Sequence, residues 1–311
     1  MDNNILKNFN QIYKEFNFTD INEISNFVTD LNTSETTNPT IKKYNLNKLD
    51  LYNKQLLVES IIINVLVKND PDFNHRLTPP SIGVIFSEII SVLIKKEPAN
   101  IVDFGVGSGS LIFSILSNLK NGNINAFGVD NNEDFIHLAQ NYRSLFNFRN
   151  SVDLIFDDVI GYEPLDKVDF VIGDLPVGYY PQKDNISDFK VKVSDDYTYV
   201  QNLFVEKSLK ILKKNGFAIF AAPQNIFTSK QNGVLLNIIR ENAFIQGIIS
   251  LPLNSFVDKK FAKSIIILQK QGSSAKQINP VLIYEFQNIE DIKSYQKLFS
   301  IINAWSKEIK E

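Results

Sequence analysis

Apolar residues fall into two patterns along the chain. Up to about residue 75 they recur at helical spacing: Ile5, Phe9, Ile12, Tyr13 and Phe16, then Leu56, Leu57, Ile61, Ile62, Val65 and Leu66. That spacing places them on one helix face, which must be buried against a neighbour. Between the two groups lies a polar stretch with turn formers, TSETTNPTIKKYN (33–45). No strand–helix alternation occurs here, so residues 1–75 are predicted to form a small helical domain ending near PDFNH (71–75). From about residue 100 the pattern becomes strand, turn, helix. Strands are predicted at NIVDF (100–104), INAFGVD (124–130), VDLIF (152–156), VDFVIGD (168–174), FAIFAAP (217–223), FIQGIISL (244–251) and KSIIILQK (263–270). Helices are predicted at 111–119, 133–146, 204–216 with Gly216 as the stop, 231–242 and 289–310, the last preceded by the apolar run VLIYEF (281–286). Such alternation gives an α/β fold, a parallel sheet with helices on both faces. The strands at 244–251 and 263–270 are joined by PLNSFVDKKFA, which holds no helical pattern, so they are expected to make an antiparallel hairpin at the sheet edge.

Composition narrows the chemistry. The chain has 311 residues, 44% hydrophobic and 22% charged, so it is an ordinary globular sequence of about two folding units, here 1–75 and 76–311. The longest apolar run, SIIINVLV (60–67), is far too short to span a bilayer, and MDNNILKNF shows no secretory leader. A cytoplasmic protein without membrane contact is expected. Cysteine is absent, which excludes disulfides, cysteine-ligated metal and thiol nucleophiles. His75 and His137 are too few for a histidine-rich metal site and read as structural, so no metal is expected. Net charge is −3, and arginine is confined to Arg76, Arg143, Arg149 and Arg240, so no broad basic surface is implied. The abundance of Asn, Ile, Lys and Phe reads as genome composition.

The turn after the first strand is DFGVGSGS (103–110), with Gly105, Gly107 and Gly109. A dinucleotide fold wants G-x-G-x-x-G, and position 110 is Ser. A ligand without pyrophosphate needs only close backbone approach and an acidic group for its ammonium, which Asp103 can supply. Asp130 ends the next strand and can accept both ribose hydroxyls. Asp158, in FDDVI after the third strand, can accept an adenine amino group. Three carboxylates at successive strand ends fit S-adenosylmethionine (SAM); the alternative is that they only cap turns.

With these motifs in order the sequence resembles the SAM-dependent N6-adenine DNA methyltransferases. DFGVGSGS, GVD (128–130), FDDVI (156–160) and GDLPVGYY (173–180) look like motifs I to IV of that family, and RLTPPSIGVIFSEII (76–90) looks like its threonine–proline motif. Residues 203–227 and 248–270 resemble the modification subunit of type I restriction enzymes. The resemblance covers about 76–270 and implies a Rossmann-like class I SAM methyltransferase sheet. It also implies roles. Thr78 and Pro79 would meet the methionine carboxylate, and Asp103, Phe104, Gly105, Gly107 and Gly109 would surround the methionine part. Asp130 would take the ribose, Asn131 would lie beside the adenine, and Asp158 would take the adenine amino group. Asp174, Leu175 and Pro176 would hold the methyl acceptor.

An exocyclic adenine nitrogen is a poor nucleophile because its lone pair is delocalised. Two acceptors aimed at its hydrogens, the Asp174 carboxylate and the Leu175 carbonyl, favour the pyramidal nitrogen that attacks a sulfonium methyl. The base must be flipped out or single-stranded. The family pattern Asp/Asn/Ser-Pro-Pro-Tyr/Phe becomes Asp-Leu-Pro-Val here. Leu175 keeps the carbonyl without proline's rigidity. Val177 offers no ring, and base–aromatic stacking is worth ~1–3 kcal/mol. Tyr179 or Tyr180 is the candidate replacement; alternatively both pack the loop. Lys259, Lys260 and Lys263 form a basic cluster that is either a solvated face or a contact for a polynucleotide backbone. The lack of cysteine excludes the 5-methylcytosine route, which needs a thiol adduct. The expected activity is methyl transfer to adenine N6 in DNA, with nucleic acid and a specificity subunit as partners. The alternatives are an RNA adenine or a protein amide as acceptor, or a SAM-binding, catalytically weak protein that scaffolds a nucleic-acid complex.

Overall fold

A computed structural model describes residues 3–69, 72–95, 97–119, 123–148, 150–193, 197–256, 259–289 and 291–310; the side chains of residues 3–8, 73 and 310 are outside the description. Arg149 and Pro71 therefore fall outside what is described, as does the side chain of Ile5.

The N-terminal part is helical: α1 (Asn3–Phe16), α2 (Ile21–Asn32), α3 (Pro39–Tyr44) and α4 (Leu51–Asn69). Asp20 caps α2 by accepting from the Glu23 N–H, while Glu23 accepts from the Thr19 N–H, a reciprocal arrangement that fixes the helix start. The polar stretch 33–45 is more ordered than its composition suggests. The Asn38 side chain accepts from the N–H groups of Thr40 and Ile41, and Pro39 takes the first helical turn, so α3 starts there.

α5 (Pro80–Leu93) leads into the alternating region: β1 (Ala99–Phe104), α6 (Ser110–Asn118), β2 (Ile124–Asp130), α7 (Glu133–Arg143), β3 (Ser151–Phe156), β4 (Val168–Asp174), α8 (Val200–Ile211), β5 (Leu212–Pro223), α9 (Asn232–Asn242), β6 (Ala243–Ser250), β7 (Lys263–Lys270), β8 (Leu282–Glu285) and α10 (Ile292–Lys310). They build one eight-stranded sheet in the order β3-β2-β1-β4-β5-β7-β6-β8. β7 runs antiparallel to both β5 and β6, and the other pairs are parallel. The expected hairpin is present, with β8 added outside β6 in parallel.

Period-2 alternation divides the central strands between two cores. Ile101, Phe170, Ile172, Phe217 and Ile219 join the larger cluster, which also holds residues of α2, α4 to α7 and α10. Val102, Phe104, Val171, Ala218 and Phe220 join the other, under α8 and α9. The N-terminal helices thus share the core of one sheet face. Glu59 of α4 accepts from the Tyr142 hydroxyl of α7 at 2.9 Å inside it.

The boundary between α8 and β5 differs most from expectation. α8 ends at Ile211, and Leu212 already pairs with Val168 of β4, so Gly216 lies inside β5. A register shift in that pairing accompanies Asn215 in the left-handed region (φ 68°). A Cβ on Gly216 would come within 2.8 Å of the Asp169 carbonyl oxygen. This glycine therefore serves strand pairing, and tertiary pairing overrides the local stop signal. Among the described residues no helix is long and apolar enough to cross a membrane.

The topology sets one rim apart. β1 to β5 are mutually parallel, so Phe104, Asp130, Phe156, Asp174 and Pro223 end them on the same side. Because β7 is antiparallel, its first residue, Lys263, pairs with Pro223 and lands on that rim as well.

Candidate active site

The glycine turn between β1 and α6 occupies the centre of the rim. Gly105, Gly107 and Gly109 have φ of 74°, 52° and 83°, conformations that L side chains rarely adopt. The turn is held from β2. The N–H groups of Gly105 and Val106 donate to the Val129 carbonyl, and the Gly107 N–H donates to Asp130 Oδ2 at 2.8 Å. A Cβ on Gly107 would meet nothing within 4 Å, so the turn has an open side at which a ligand can approach the backbone.

Asp103 is 1% exposed, and both its oxygens lack a hydrogen-bond partner among the described residues. Burial, then the charges of Asp174 and Asp130, push its pKa up to about 8. A buried carboxylate without a partner is costly unless a cation or donor arrives. An amino acid ammonium beside the glycine turn is such a group, so these residues fit the methionine end of SAM. Phe104, on the other sheet face, is fully buried with its ring edge-on to Phe204 at 5.7 Å, and Phe204 also lies against Gly105. Two residues before Phe204, Asn202 keeps both amide atoms buried and unpartnered among the described residues.

Asp130 uses one oxygen for Gly107 and the other for the Asn132 N–H at 2.9 Å. Its pKa is raised by burial, against the opposing effect of these bonds and of nearby His75. Each carboxylate oxygen has a second lone pair, so capacity for hydroxyl donors remains. Asn131 is exposed at the end of β2. Asp158 accepts from the Ile160 N–H at 2.9 Å and from the Tyr180 hydroxyl. Burial, then that bond, push the Tyr180 phenol up to about 12.

The threonine–proline segment sits above α6. Pro79 is exposed ahead of α5, while the hydroxyls of Ser110 and Ser114 donate to the carbonyls of Thr78 and Pro80 at 2.8 and 2.9 Å. The Thr78 hydroxyl donates to Asp174 Oδ2 at 2.9 Å, so it meets the acceptor motif within the protein itself.

The acceptor motif leaves β4 through Gly173, where a Cβ would come within 2.7 Å of the Phe104 carbonyl oxygen. Leu175 is buried, its N–H donating to the Ala221 carbonyl. That bond turns the Leu175 backbone onto β5, and Pro176 follows half-buried. The Lys263 ammonium then donates both to Asp174 Oδ1 and to the Leu175 carbonyl, the latter at 3.0 Å. A single nitrogen thus reaches the two acceptors that the sequence analysis singled out. Lys263 is separated in this from Lys259 and Lys260, which lie exposed in the loop before β7.

Next in the chain, Val177 is clamped by Asn74, which accepts from its N–H at 2.7 Å and donates to its carbonyl at 3.0 Å. The two tyrosines part company. Tyr180 is 6% exposed and committed to Asp158, whereas Tyr179 is 54% exposed. The Tyr179 ring stacks on Tyr199 at 4.9 Å, with Tyr197 at 6.3 Å and the Lys183 ammonium 4.2 Å from the Tyr197 ring. Asn74 and Tyr199 carry no signal in the sequence, and Lys263 reads there only as part of a basic cluster; each reaches the site through tertiary contact. Among the described residues no cluster of His, Asp or Glu is arranged to hold a metal ion.

Residues 74–304 match the family model of N-6 DNA methylases. The chain is 31% identical over 240 residues to the uncharacterized protein YtxK of Bacillus subtilis, covering 76% of this chain and 72% of that one. A crystal structure from Listeria monocytogenes, assigned to the class I SAM-dependent methyltransferases, superposes with a TM-score of 0.80 at 25% identity over 93% of each chain. The methyltransferase subunit of a type I restriction-modification system from Streptococcus thermophilus shares the fold, with a TM-score of 0.64 at 16% identity over 96% of this chain and 74% of the other.

Proposed function

The chain belongs to the N-6 DNA methylase family and is a SAM-dependent methyltransferase, and from that premise we propose that it methylates the exocyclic N6 of adenine in DNA. The observation that carries this reading is the convergence of the Asp174 carboxylate and the Leu175 carbonyl on one nitrogen-sized position at the rim, marked by the ammonium that bonds both. Two acceptors on one NH₂ group suit an amine whose lone pair must be turned out of conjugation.

When bound, SAM supplies an electrophilic methyl group on its sulfonium. In this reading Asp103 holds its ammonium and Asp130 its ribose, with Asn131 and Asp158 flanking its adenine. The glycine turn gives the methionine part close backbone contact beside Thr78 and Pro79. Asp174 and Leu175 fix the acceptor nitrogen, Pro176 stiffens the turn, and the exposed Tyr179 supplies the ring that Val177 lacks. Tyr180 works from behind, holding Asp158 and thereby the loop. No covalent enzyme intermediate is involved: positioning and electrostatic stabilisation carry the rate. We assign sequence recognition to a partner subunit, a reading supported by the fold shared with the methyltransferase subunit of a type I restriction-modification system.

Incubation of the protein with labelled SAM and adenine-containing DNA, followed by nucleoside mass spectrometry, tests this. N6-methyladenine is expected from the wild type, with a loss of 100-fold or more in rate for Asp174→Ala, on the order of removing one key transition-state contact. Label that appears only in RNA or in protein, or in no substrate at all, rejects DNA adenine as the acceptor.

A further inference from the structure

We propose that Lys263 is an acceptor-site residue that stands in for the substrate amino group, so that a base must displace its ammonium before it can be methylated. This rests on the preceding reading of Asp174 and Leu175. Three observations carry it. The ammonium bonds the Asp174 side chain and the Leu175 carbonyl together, which are the two acceptors an adenine amine would use. The other Asp174 oxygen accepts from the Thr78 hydroxyl, so in this arrangement both carboxylate oxygens already carry a donor. Lys263 and Asp174 are 19% and 21% exposed, enough shielding to strengthen the pair and enough access for the ammonium to swing into water.

The fold explains why a lysine can do this. Lys263 opens the antiparallel strand β7, so its backbone is fixed opposite Pro223 while its flexible stem reaches across the rim. Its backbone carbonyl accepts from the Leu251 N–H, which anchors the strand start independently of the side chain. The stem can therefore move without unmaking the sheet. An ammonium has three donors and no acceptor, so it satisfies the pocket as well as an amino group does, and it adds charge. A base whose edge presents an amino group gains little on binding while that competitor is in place, and its apparent affinity falls by the fraction of molecules with the site open.

The test measures preference for the amino group without SAM. Two single-stranded oligonucleotides are compared, identical except that the one adenine is replaced by purine, which lacks the amino group. Wild type is expected to bind them almost equally. Lys263→Met is expected to bind the adenine strand about tenfold more tightly than the purine strand, the gain being the released site. Taking the ratio cancels the loss of a positive charge near the phosphates. Lys263→Ala repeats the measurement in case the methionine packs badly, with thermal unfolding as the check on folding. A wild type that already prefers adenine, with the preference unchanged in both variants, overturns the role of Lys263 and leaves the acceptor reading standing. No preference in any of the proteins, together with no label transfer to nucleic acid, overturns both. A gain of one methyl mass on Lys263 after incubation with SAM shows that the lysine is itself an acceptor, and overturns the displacement scheme.

Discussion

At the scale of single residues the site is a set of carboxylates in different states of satisfaction. Asp158 and Asp174 are engaged by Tyr180, Thr78 and Lys263, Asp130 is engaged by backbone N–H groups, and Asp103 has no partner among the described residues. The last has a consequence for stability. With its pKa pushed from 3.8 to about 8, the native state keeps a proton that the unfolded chain has released over that interval. Stability contributed at this position therefore falls as pH rises from about 4 to about 8 and is level above. Asp103→Asn removes the titration. Its thermal unfolding midpoint, measured against wild type without ligand, is expected to gain progressively from pH 5 to pH 8, by several degrees at the upper end, and then to run parallel. A constant offset across that range contradicts the assignment.

At the scale of elements, the glycine turn and the threonine–proline segment are joined through α6. Ser110 is its first residue, and its hydroxyl holds the Thr78 carbonyl at 2.8 Å, while Ser114 one turn on holds Pro80. Ser110→Ala is expected to cost about 1 kcal/mol in urea unfolding, the usual worth of one such bond, and to weaken SAM binding because Thr78 loses its anchor. Unchanged SAM affinity in a folded Ser110→Ala protein contradicts the coupling. Much at this scale was legible in the sequence. The strand–turn–helix alternation, the turn at 103–110 and the carboxylates at successive strand ends all follow from local pattern. Positions decided by partners far along the chain were not legible. The stop of α8 at Ile211 is set by pairing of Leu212 with Val168. The separation of Tyr180 from Tyr179 depends on a contact with Asp158, twenty-two residues earlier. The clamp of Asn74 on Val177 spans 103 residues. Lys263 reads as one of three surface lysines until β7 is known to lie beside β5, which sets its first residue opposite Pro223.

At the scale of the whole molecule, parallel strands bring their carboxyl ends to one rim, as in other open α/β sheets whose ligands sit outside those ends. One reversed strand then delivers a cation to the same rim. The net charge of −3 offers no general attraction for a polynucleotide, so under the proposed function contact would rest on local features such as the Tyr179, Tyr197 and Tyr199 rings and Lys183. All of this depends on the strand-end crevice being a SAM site. Calorimetric titration of the protein with SAM, wild type beside Asp130→Ala, examines that directly. A single binding site is expected in the wild type, with about a tenfold or greater loss of affinity in the variant, the scale of hydrogen bonds to a charged group. Absence of binding to the wild type, or equal affinity in the two proteins, contradicts a SAM site there.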